Sequence, residues 1–292
     1  MKKNAEKNKK ILLSSLLAGG LVLASFYGAS LPKEQESKAD AAISNATSAA
    51  ASITGELTAK RDRFVKQFAM SDGSYTAVTY SMPVHYKGPN GSSKGGNWKE
   101  IDTTLVKSGR KDYKTKATDL TLKVSKKANK KSVVSMKRGK TSLSIALKGK
   151  KMKAAKAKVS NPGKNAVTDV LNQNKVTYKK VMKNTSVSYD IFPEKVQEIV
   201  SIHKKQKSKS LSFRLNTKLK VKVKGKKVYF KTSKGNIKFT RMSTKITDAS
   251  GASTSKVKLS YNKKTKTLKV TPDKNGGTAE KEHIRWRSGP PI

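Results

Sequence analysis

The sequence predicts a mostly β protein, in which antiparallel meanders and hairpins form a β-sandwich-like domain preceded by a signal peptide and a linker. Apolar residues and lysines alternate with a period of two over long stretches, and glycine-containing turns separate these stretches. No stretch carries a long apolar stripe of helical period with caps. Hydrophobic residues make up 35% of the chain, which suffices for strands that bury one face.

The first segment is typical of a secretory signal peptide. The basic stretch MKKNAEKNKK precedes the apolar run ILLSSLLAGGLVLASFYG, and Ala39 and Ala41 supply the small side chains that a signal peptidase accepts. Gly28 and Ser30 form an earlier candidate cleavage site. An uncleaved membrane anchor is the alternative, but the apolar run is barely long enough to span a bilayer. We therefore expect export and removal of residues 1–41.

Three further regions follow the signal peptide. Residues 42–59 are rich in Ala, Ser and Thr and predict a linker. Residues 60–274 carry the β pattern and form either one β-rich domain or two subdomains. In residues 275–292, NGGTAEKEHIRWRSGPPI, the charge pattern changes and the alternation stops. We expect an irregular tail there, typical of a truncated or frame-shifted end.

The β pattern begins with a hairpin, FVKQFAM-SDG-SYTAVTY, whose Asp72-Gly73 pair favours a tight turn with positive φ. In TSLSIAL the apolar positions alternate at Leu143, Ile145 and Leu147. In LKVKVKGKKVYF, apolar residues at 219, 221 and 223 alternate with lysines, and Gly225 ends the run. KVKLSYNKKTKTLKV repeats this pattern. Each stretch predicts a meander with one buried face and one lysine-rich face.

Residues 81–105, SMPVHYKGPNGSSKGGNWKEIDTTL, hold one of the three histidines and one of the two tryptophans. We interpret them as two strands joined by a glycine-rich turn, with Pro83 at the start of the first strand, where its missing N–H disturbs the ladder least. His85 and Trp98 are then near-partners across the hairpin. The candidate buried positions of the second strand are Trp98, Ile101 and Leu105.

Glu100 and Asp102 are the candidate chemical groups of this stretch. Side chains two residues apart on a strand point to the same face, and a carboxylate pair can serve acid–base catalysis or bind a divalent cation. A hydrolytic pair needs a cleft, however, and a metal site needs further ligands nearby. We therefore expect structural roles, with a weak cation site as the main alternative.

Other candidate groups are dispersed. Three acids in SYDIFPEKVQEIVSI are spaced by four residues, but Pro193 and the β-branched neighbours favour two strands, which separates the acids. These acids are Asp190, Glu194 and Glu198. His203 and His283 have no companions at ligand spacing. Without cysteine there is no disulfide, thiolate nucleophile or cysteine-bound metal. We predict no catalytic, cofactor-binding or metal-binding residues and no cofactor.

Charge is the strongest functional signal. The chain has 65 Lys and Arg against 19 Asp and Glu, a formal net charge of +46. Such a surplus implies an anionic neighbour, although lysines on solvated strand faces also serve solubility.

The segment ELTAKRDRFVKQFAMSDGSYTAVTYSMPVHYKGPNG…WKEIDTTL resembles the region that follows the signal peptide in large wall-associated RHS/YD-repeat proteins of Gram-positive bacteria, which belong to the polymorphic toxins. The residues that match the pattern of this family are Glu56, Leu57, Lys60, Arg61, Pro83, His85, Tyr86, Lys87, Asn90, Gly91, Trp98, Ile101 and Asp102. VTYKKVMKNTSVSYDIFPEKVQEIVSI and YNKKTKTLKVTPDK resemble later blocks, so the likeness covers roughly residues 55–274. The chain departs from the pattern by the extra residues SSKGGN before Trp98 and by ending before the repeats.

The resemblance and the charge together predict a secreted, non-enzymatic module bound to anionic wall polymers such as teichoic acid. With no RHS repeats and no toxin domain in this chain, the toxic activity of the family is not expected of it. The alternative is an extracellular binder of nucleic acid or matrix polyanions, although no base-stacking platform is evident. A wall hydrolase is disfavoured because the chain has few histidines and no cysteine. We expect no small-molecule substrate, no specific nucleic acid and no membrane contact after cleavage.

The predicted cleavage can be checked on secreted material. Mature protein in the medium and wall fractions should begin near Ala42, because Ala39 and Ala41 precede that bond. N-terminal sequencing and intact mass would identify the first residue. A secreted chain that retains Met1 or Lys2 would contradict the prediction.

Overall fold

The computed structural model describes residues 9–16, 21–28, 51–87, 98–129, 132–149, 151–163, 174–203, 210–248, 253–272 and 279–288. Strands dominate these residues, as the sequence predicts, and the helical structure within them is one short 3-10 helix, Thr58–Lys60. Within the same residues, no helix has the length and apolar character needed to cross a membrane. The chain divides into two compact units, residues 1–100 and 101–292.

The first unit, residues 1–100, contains seven strands among its described residues. Their bounds are β1 Lys9–Leu16, β2 Leu21–Gly28, β3 Ile53–Glu56, β4 Val65–Met70, β5 Tyr75–Tyr80, β6 His85–Lys87 and β7 Trp98–Glu100. Five of them form an antiparallel sheet in the order β1-β2-β5-β4-β3, and β6 pairs with β7. The predicted hairpin is confirmed as β4 and β5. At its turn, Gly73 has a φ of +77°, and Asp72 Oδ1 accepts a hydrogen bond of 2.9 Å from the backbone N–H of Ser74.

Two domain predictions fall in this unit, and the structure changes one of them. The predicted linker, residues 42–59, contains β3 and the start of the 3-10 helix, so the prediction was wrong for residues 53–59. A mostly exposed strand such as β3 carries little apolar pattern, and it forms because its backbone pairs with the edge of β4. β1 and β2 lie inside the predicted signal peptide and pair with β5 in the uncleaved chain. Removal of residues 1–41 stays a prediction.

The second unit, residues 101–292, is built from two antiparallel sheets. The strands of the first sheet are β8 Asp102–Ser108, β9 Asp112–Ala117, β10 Thr121–Ser125, β11 Val134–Arg138, β12 Thr141–Lys148, β17 Leu211–Asn216, β22 Val257–Asn262 and β23 Thr267–Pro272. Its order is β22-β23-β17-β12-β11-β10-β9-β8.

The strands of the second sheet are β13 Ala157–Ser160, β14 Asn174–Met182, β15 Thr185–Ile191, β16 Lys195–Ile202, β18 Lys220–Lys224, β19 Lys227–Lys231, β20 Ile237–Asp248, β21 Ser253–Thr254 and β24 Ala279–Ser288. Its order is β13-β14-β15-β16-β24-β20-β19-β18, and β21 pairs with β20. β24 shows that the prediction of an irregular tail was wrong for residues 279–288. The sequence HIRWR does alternate apolar and cationic residues, but the run is short, and backbone pairing with β16 and β20 on either side supports it.

The buried faces of these two sheets form one hydrophobic core. The predicted alternation is confirmed in β12, where Leu143, Ile145 and Leu147 are buried. Phe213 of the first sheet and Phe230 of the second are likewise fully buried members of that core. In β18 the valines pack against the core at its edge, while Lys220, Lys222 and Lys224 are exposed. The period of two thus places apolar side chains inside and lysines outside.

Two leucines of this unit provide a matched test of the core. Leu143→Ala should lower the free energy of unfolding by about 3–5 kcal/mol, because the fully buried side chain would leave a cavity. Leu259→Ala should cost about half as much or less, because this side chain of β22 is only partly buried. Urea denaturation of both variants measures the difference. Equal losses would contradict the observed packing.

Candidate functional site

The motif residues of the N-terminal region meet in a polar cluster within the first unit. Arg61 binds Glu56 through two hydrogen bonds, from Nε to Oε1 at 2.8 Å and from Nη2 to Oε2 at 2.7 Å. Arg61 Nη1 also donates to the carbonyl oxygen of Trp98 at 3.4 Å. Glu56 ends β3, Arg61 follows the 3-10 helix and Trp98 begins β7. One guanidinium therefore joins β3 and the residue after the 3-10 helix, which are neighbours in sequence, to β7, which is distant in sequence.

His85 completes this arrangement, which we call the Glu56–Arg61–His85 cluster. Its side chain is fully buried, with Nδ1 2.6 Å from the carbonyl oxygen of Asp62. Because a carbonyl can only accept, Nδ1 carries the proton of this hydrogen bond. Nε2 lies 3.2 Å from Glu56 Oε1 without hydrogen-bond geometry. The imidazole is thus anchored at Nδ1 by the chain before β4, while Nε2 faces the acid of β3.

The carboxylate of Glu56 is strongly biased towards its charged form. The hydrogen bonds from Arg61 lower the pKa of Glu56 against the opposing effect of burial, and the charges of Arg61, Lys66 and His85 lower it further. The same interaction with Glu56 raises the pKa of Arg61. A carboxylate held by a bidentate guanidinium is a poor general base, because proton transfer to it would sacrifice that interaction.

Glu100 and Asp102 lie on different strands, so the prediction that one returning strand carries both acids was wrong. The strand pairing is interrupted at Ile101, which places Glu100 at the end of β7 in the first unit and Asp102 at the start of β8 in the second. Glu100 lies opposite His85 in the ladder, and its Oε1 accepts a 2.8 Å hydrogen bond from Lys66 Nζ. The Lys66 side chain is only 1% exposed, so Glu100 compensates a buried charge.

Asp102 has partners of its own. Burial raises its pKa, but hydrogen bonds from Thr104 and the charge of Lys116 outweigh burial, and the net result is a lowered pKa. The Lys116 ammonium lies 3.1 Å from Asp102 Oδ2. Of the other predicted positions, Ile101 and Leu105 are buried, whereas Trp98 is only partly buried beneath Lys87 Nζ, 5.2 Å from the ring centre. Lys87, rather than His85, lies opposite Trp98. The turn at residues 88–97 lies outside the described residues.

The three acids of SYDIFPEKVQEIVSI are separated, as the two-strand interpretation predicts. β15 and β16 form a hairpin around residues 192–194. Asp190 Oδ1 lies 3.3 Å from Lys175 Nζ, whereas Glu194 Oε1 lies 3.9 Å from Arg138 Nη2. Glu198 is fully buried and accepts a 2.7 Å hydrogen bond from the Tyr189 hydroxyl, whose pKa is raised by burial and by the Glu198 charge. The sequence pattern did not predict the burial of Glu198.

Among the described side chains, no remaining histidine is part of a catalytic or metal-binding group. His203 is exposed, and its Nε2 lies 3.0 Å from the Ser186 hydroxyl. The side chain of His283 lies outside the described part of the chain. Where side chains are described, no group of three or more His, Cys, Asp or Glu is placed to hold a metal ion.

A basic groove in the second unit is the feature that sequence analysis missed. It is a cavity of about 510 Å³ lined by residues from the end of β12, from β17 and from the turn between β22 and β23. Its cationic side chains are Lys148, Arg214, Lys264 and Lys266, and the described residues of its lining include no acid. Lys148, Arg214 and the turn with Lys264 and Lys266 are far apart along the chain, and the only signal in the sequence is the high lysine content.

Comparison with protein-family models, with curated proteins and with solved structures finds no match for this chain.

Glu56→Gln tests the electrostatic role of the cluster. Because the pKa of Glu56 is lower in the folded state, its stabilising contribution is present above the ordinary value of 4.5 and is lost as pH falls through the lowered value. We expect the variant to lose about 2 kcal/mol of unfolding free energy at pH 7, the usual size for hydrogen bonds to charged groups. Urea denaturation at pH 7 and pH 3 should show that the difference from wild type shrinks in acid.

Arg61→Lys is the matched control, because it keeps the positive charge and removes the two-pronged geometry. An intermediate loss is expected. Equal stability of wild type and Glu56→Gln at pH 7 would show that the cluster contributes nothing to folding.

Proposed function

We propose that this chain is a secreted, non-enzymatic, wall-associated module that corresponds to the N-terminal part of an RHS-repeat toxin-delivery protein and holds to anionic cell-wall polymer through its basic surface. The resemblance over residues 55–274 supports the family, and the charge of +46 supports the ligand class. The polymer we propose is teichoic acid, whose repeating phosphates match a surface covered with ammonium groups.

Like-charged lysines directly opposite each other on neighbouring strands are the observation that carries this proposal. Lys114 lies opposite Lys123 in the first sheet of the second unit. Lys220 lies opposite Lys231, and Lys224 opposite Lys227, in its second sheet. Like charges in this position destabilise a sheet, by up to about 1 kcal/mol a pair. A bound polyanion would offset these repulsions by its attraction to both lysines, which would account for the arrangement.

The balance of charges extends this argument to the whole surface. Even if each of the 19 acids neutralised one base, 46 cationic side chains would still lack an acid of their own. Several of the acids are engaged inside polar clusters, as Glu56 is with Arg61 and Glu100 with Lys66. The outward lysines therefore face solvent and its anions. Binding to a phosphate polymer should release counterions and depend strongly on salt.

The Glu56–Arg61–His85 cluster supports a structural role for the motif residues. It brings together Glu56, Arg61, His85 and the backbone of Trp98, four positions on which the resemblance rests. Their charges neutralise one another, and no nucleophile is among them. The non-enzymatic assignment rests on this arrangement and on the scattered positions of the other acids.

Salt dependence of wall binding tests the proposed function. Retention of the mature protein on purified Gram-positive walls should fall steeply from low to moderate salt, because the screening length shrinks from about 30 Å at 0.01 M to about 10 Å at 0.1 M. A sedimentation assay over this range measures the bound fraction. Matched walls stripped of teichoic acid should retain less protein at every salt concentration.

Three results would contradict the proposal. Binding that persists in 1 M salt would indicate a specific sugar or peptide pocket. Equal retention by stripped and intact walls would exclude teichoic acid as the ligand. Stronger binding to nucleic acid than to wall polymer at the same salt concentration would favour the alternative, an extracellular nucleic-acid binder.

A further inference from the structure

The turn between β22 and β23 forms one wall of the basic groove, and its backbone is held in place. The N–H of Leu215 in β17 donates to the carbonyl oxygen of Lys266 at 2.9 Å, which anchors the turn to the neighbouring strand. Inside the turn, Asn262 Oδ1 accepts a 2.8 Å hydrogen bond from the N–H of Thr265. Lys266 adopts a φ of +49°, a conformation uncommon for a residue with a side chain. These hydrogen bonds therefore fix the position of the turn beside β17.

Four cations from three elements line this groove. Arg214 is an exposed residue in the middle of β17, Lys148 ends β12, and the turn contributes Lys264 and Lys266. Groups of the same charge raise the free energy of a shared cavity, and no acid in the lining offsets them. An anion in the groove would remove this repulsion. The arrangement of charge therefore matches an anionic ligand.

Hydrogen bonds to neighbouring hydroxyl groups position part of this charge. Lys148 Nζ donates to Thr267 Oγ1 at 3.2 Å, which draws the ammonium group across β17 towards the turn. Thr265 Oγ1 donates to Thr267 Oγ1 at 3.0 Å, so the two hydroxyls and the ammonium form a connected set. The guanidinium of Arg214 offers the planar fork of donors that suits phosphate oxygens.

The lining also distinguishes between phosphate polymers. It contains no aromatic side chain on which a base could stack, and base stacking supplies much of the affinity for single-stranded nucleic acid. Its volume, about 510 Å³, falls within the usual range for ligand sites. The geometry points to a site in this groove for the phosphodiester groups of a wall polymer such as teichoic acid, an inference that rests on the proposed function and names the site where the polymer is held.

The test compares two double variants that remove the same charge. Arg214→Gln with Lys264→Gln removes two groove cations that the turn contacts described above do not use. Lys137→Gln with Lys222→Gln removes two exposed lysines outside the groove, one in β11 and one in β18, and neither lies opposite another lysine. Circular dichroism and thermal melting should show that both variants remain folded. The probe is soluble poly(glycerol phosphate), and its affinity is measured by titration at fixed low salt for wild type and both variants.

The groove variant should lose at least about tenfold in affinity, since each charge-assisted hydrogen bond to phosphate contributes about a factor of ten. The control variant, which lacks Lys137 and Lys222, should lose less than about threefold. Equal losses in the two variants would overturn the groove assignment while leaving the proposed function intact, because wild type would still bind the polymer. Absence of wild-type binding would instead overturn the proposed function.

Single-stranded DNA of matched phosphate content is the second probe. Weaker binding of this DNA, with little difference between the groove variant and wild type, would support the assignment to wall polymer. Tighter binding of the DNA, lost in the groove variant, would overturn that assignment and make the groove a nucleic-acid site.

Discussion

Burial of the inner faces of the two sheets in the second unit is the interaction on which the rest of the structure depends. Fully burying a Leu, Ile, Val or Phe side chain contributes about 1.5–3 kcal/mol, and many such side chains share this core. A direct lysine–lysine pair such as Lys114 with Lys123 costs no more than about 1 kcal/mol. The free energy gained by burying apolar side chains therefore exceeds the cost of repulsion between lysines. Because side chains on a strand alternate between faces, burial of the apolar face leaves the lysines on the outer face.

Polar contacts are prominent in the part of the first unit whose side chains are described. There the buried apolar residues are Phe68, Val78 and Val84, and the side chains of His85 and Lys66 are also buried. Desolvation offsets much of the attraction in such ion pairs, so their main effect is to set which elements meet. Arg61 shows this effect, because its guanidinium can satisfy Glu56 and the Trp98 carbonyl only where β3 and β7 lie close together.

The acids that are engaged by neighbouring groups and the surplus of bases thus occupy different parts of this protein. The acids are few, and many of them are engaged by neighbouring bases or hydroxyls, as Glu56, Glu100 and Glu198 are. The surplus of bases is carried on outward strand faces and, in the basic groove, is concentrated by a turn. This separation fits the proposed binding of polyanions, since a surface of ammonium groups attracts phosphate. It also explains why salt is the informative variable in the proposed experiments.

The sequence by itself determined the fold class, the hairpin at Asp72-Gly73 and the alternation at Leu143, Ile145 and Leu147, because turn chemistry and a period of two are local properties. Tertiary structure alone decided which charges are buried, as at Lys66 and Glu198, and the separation of Glu100 from Asp102 at Ile101. It also decided the pairing of β24 and the assembly of the groove. Each of these depends on partners far away in the chain, and a sequence pattern carries no information on which distant strand will supply a hydrogen bond or a counter-charge.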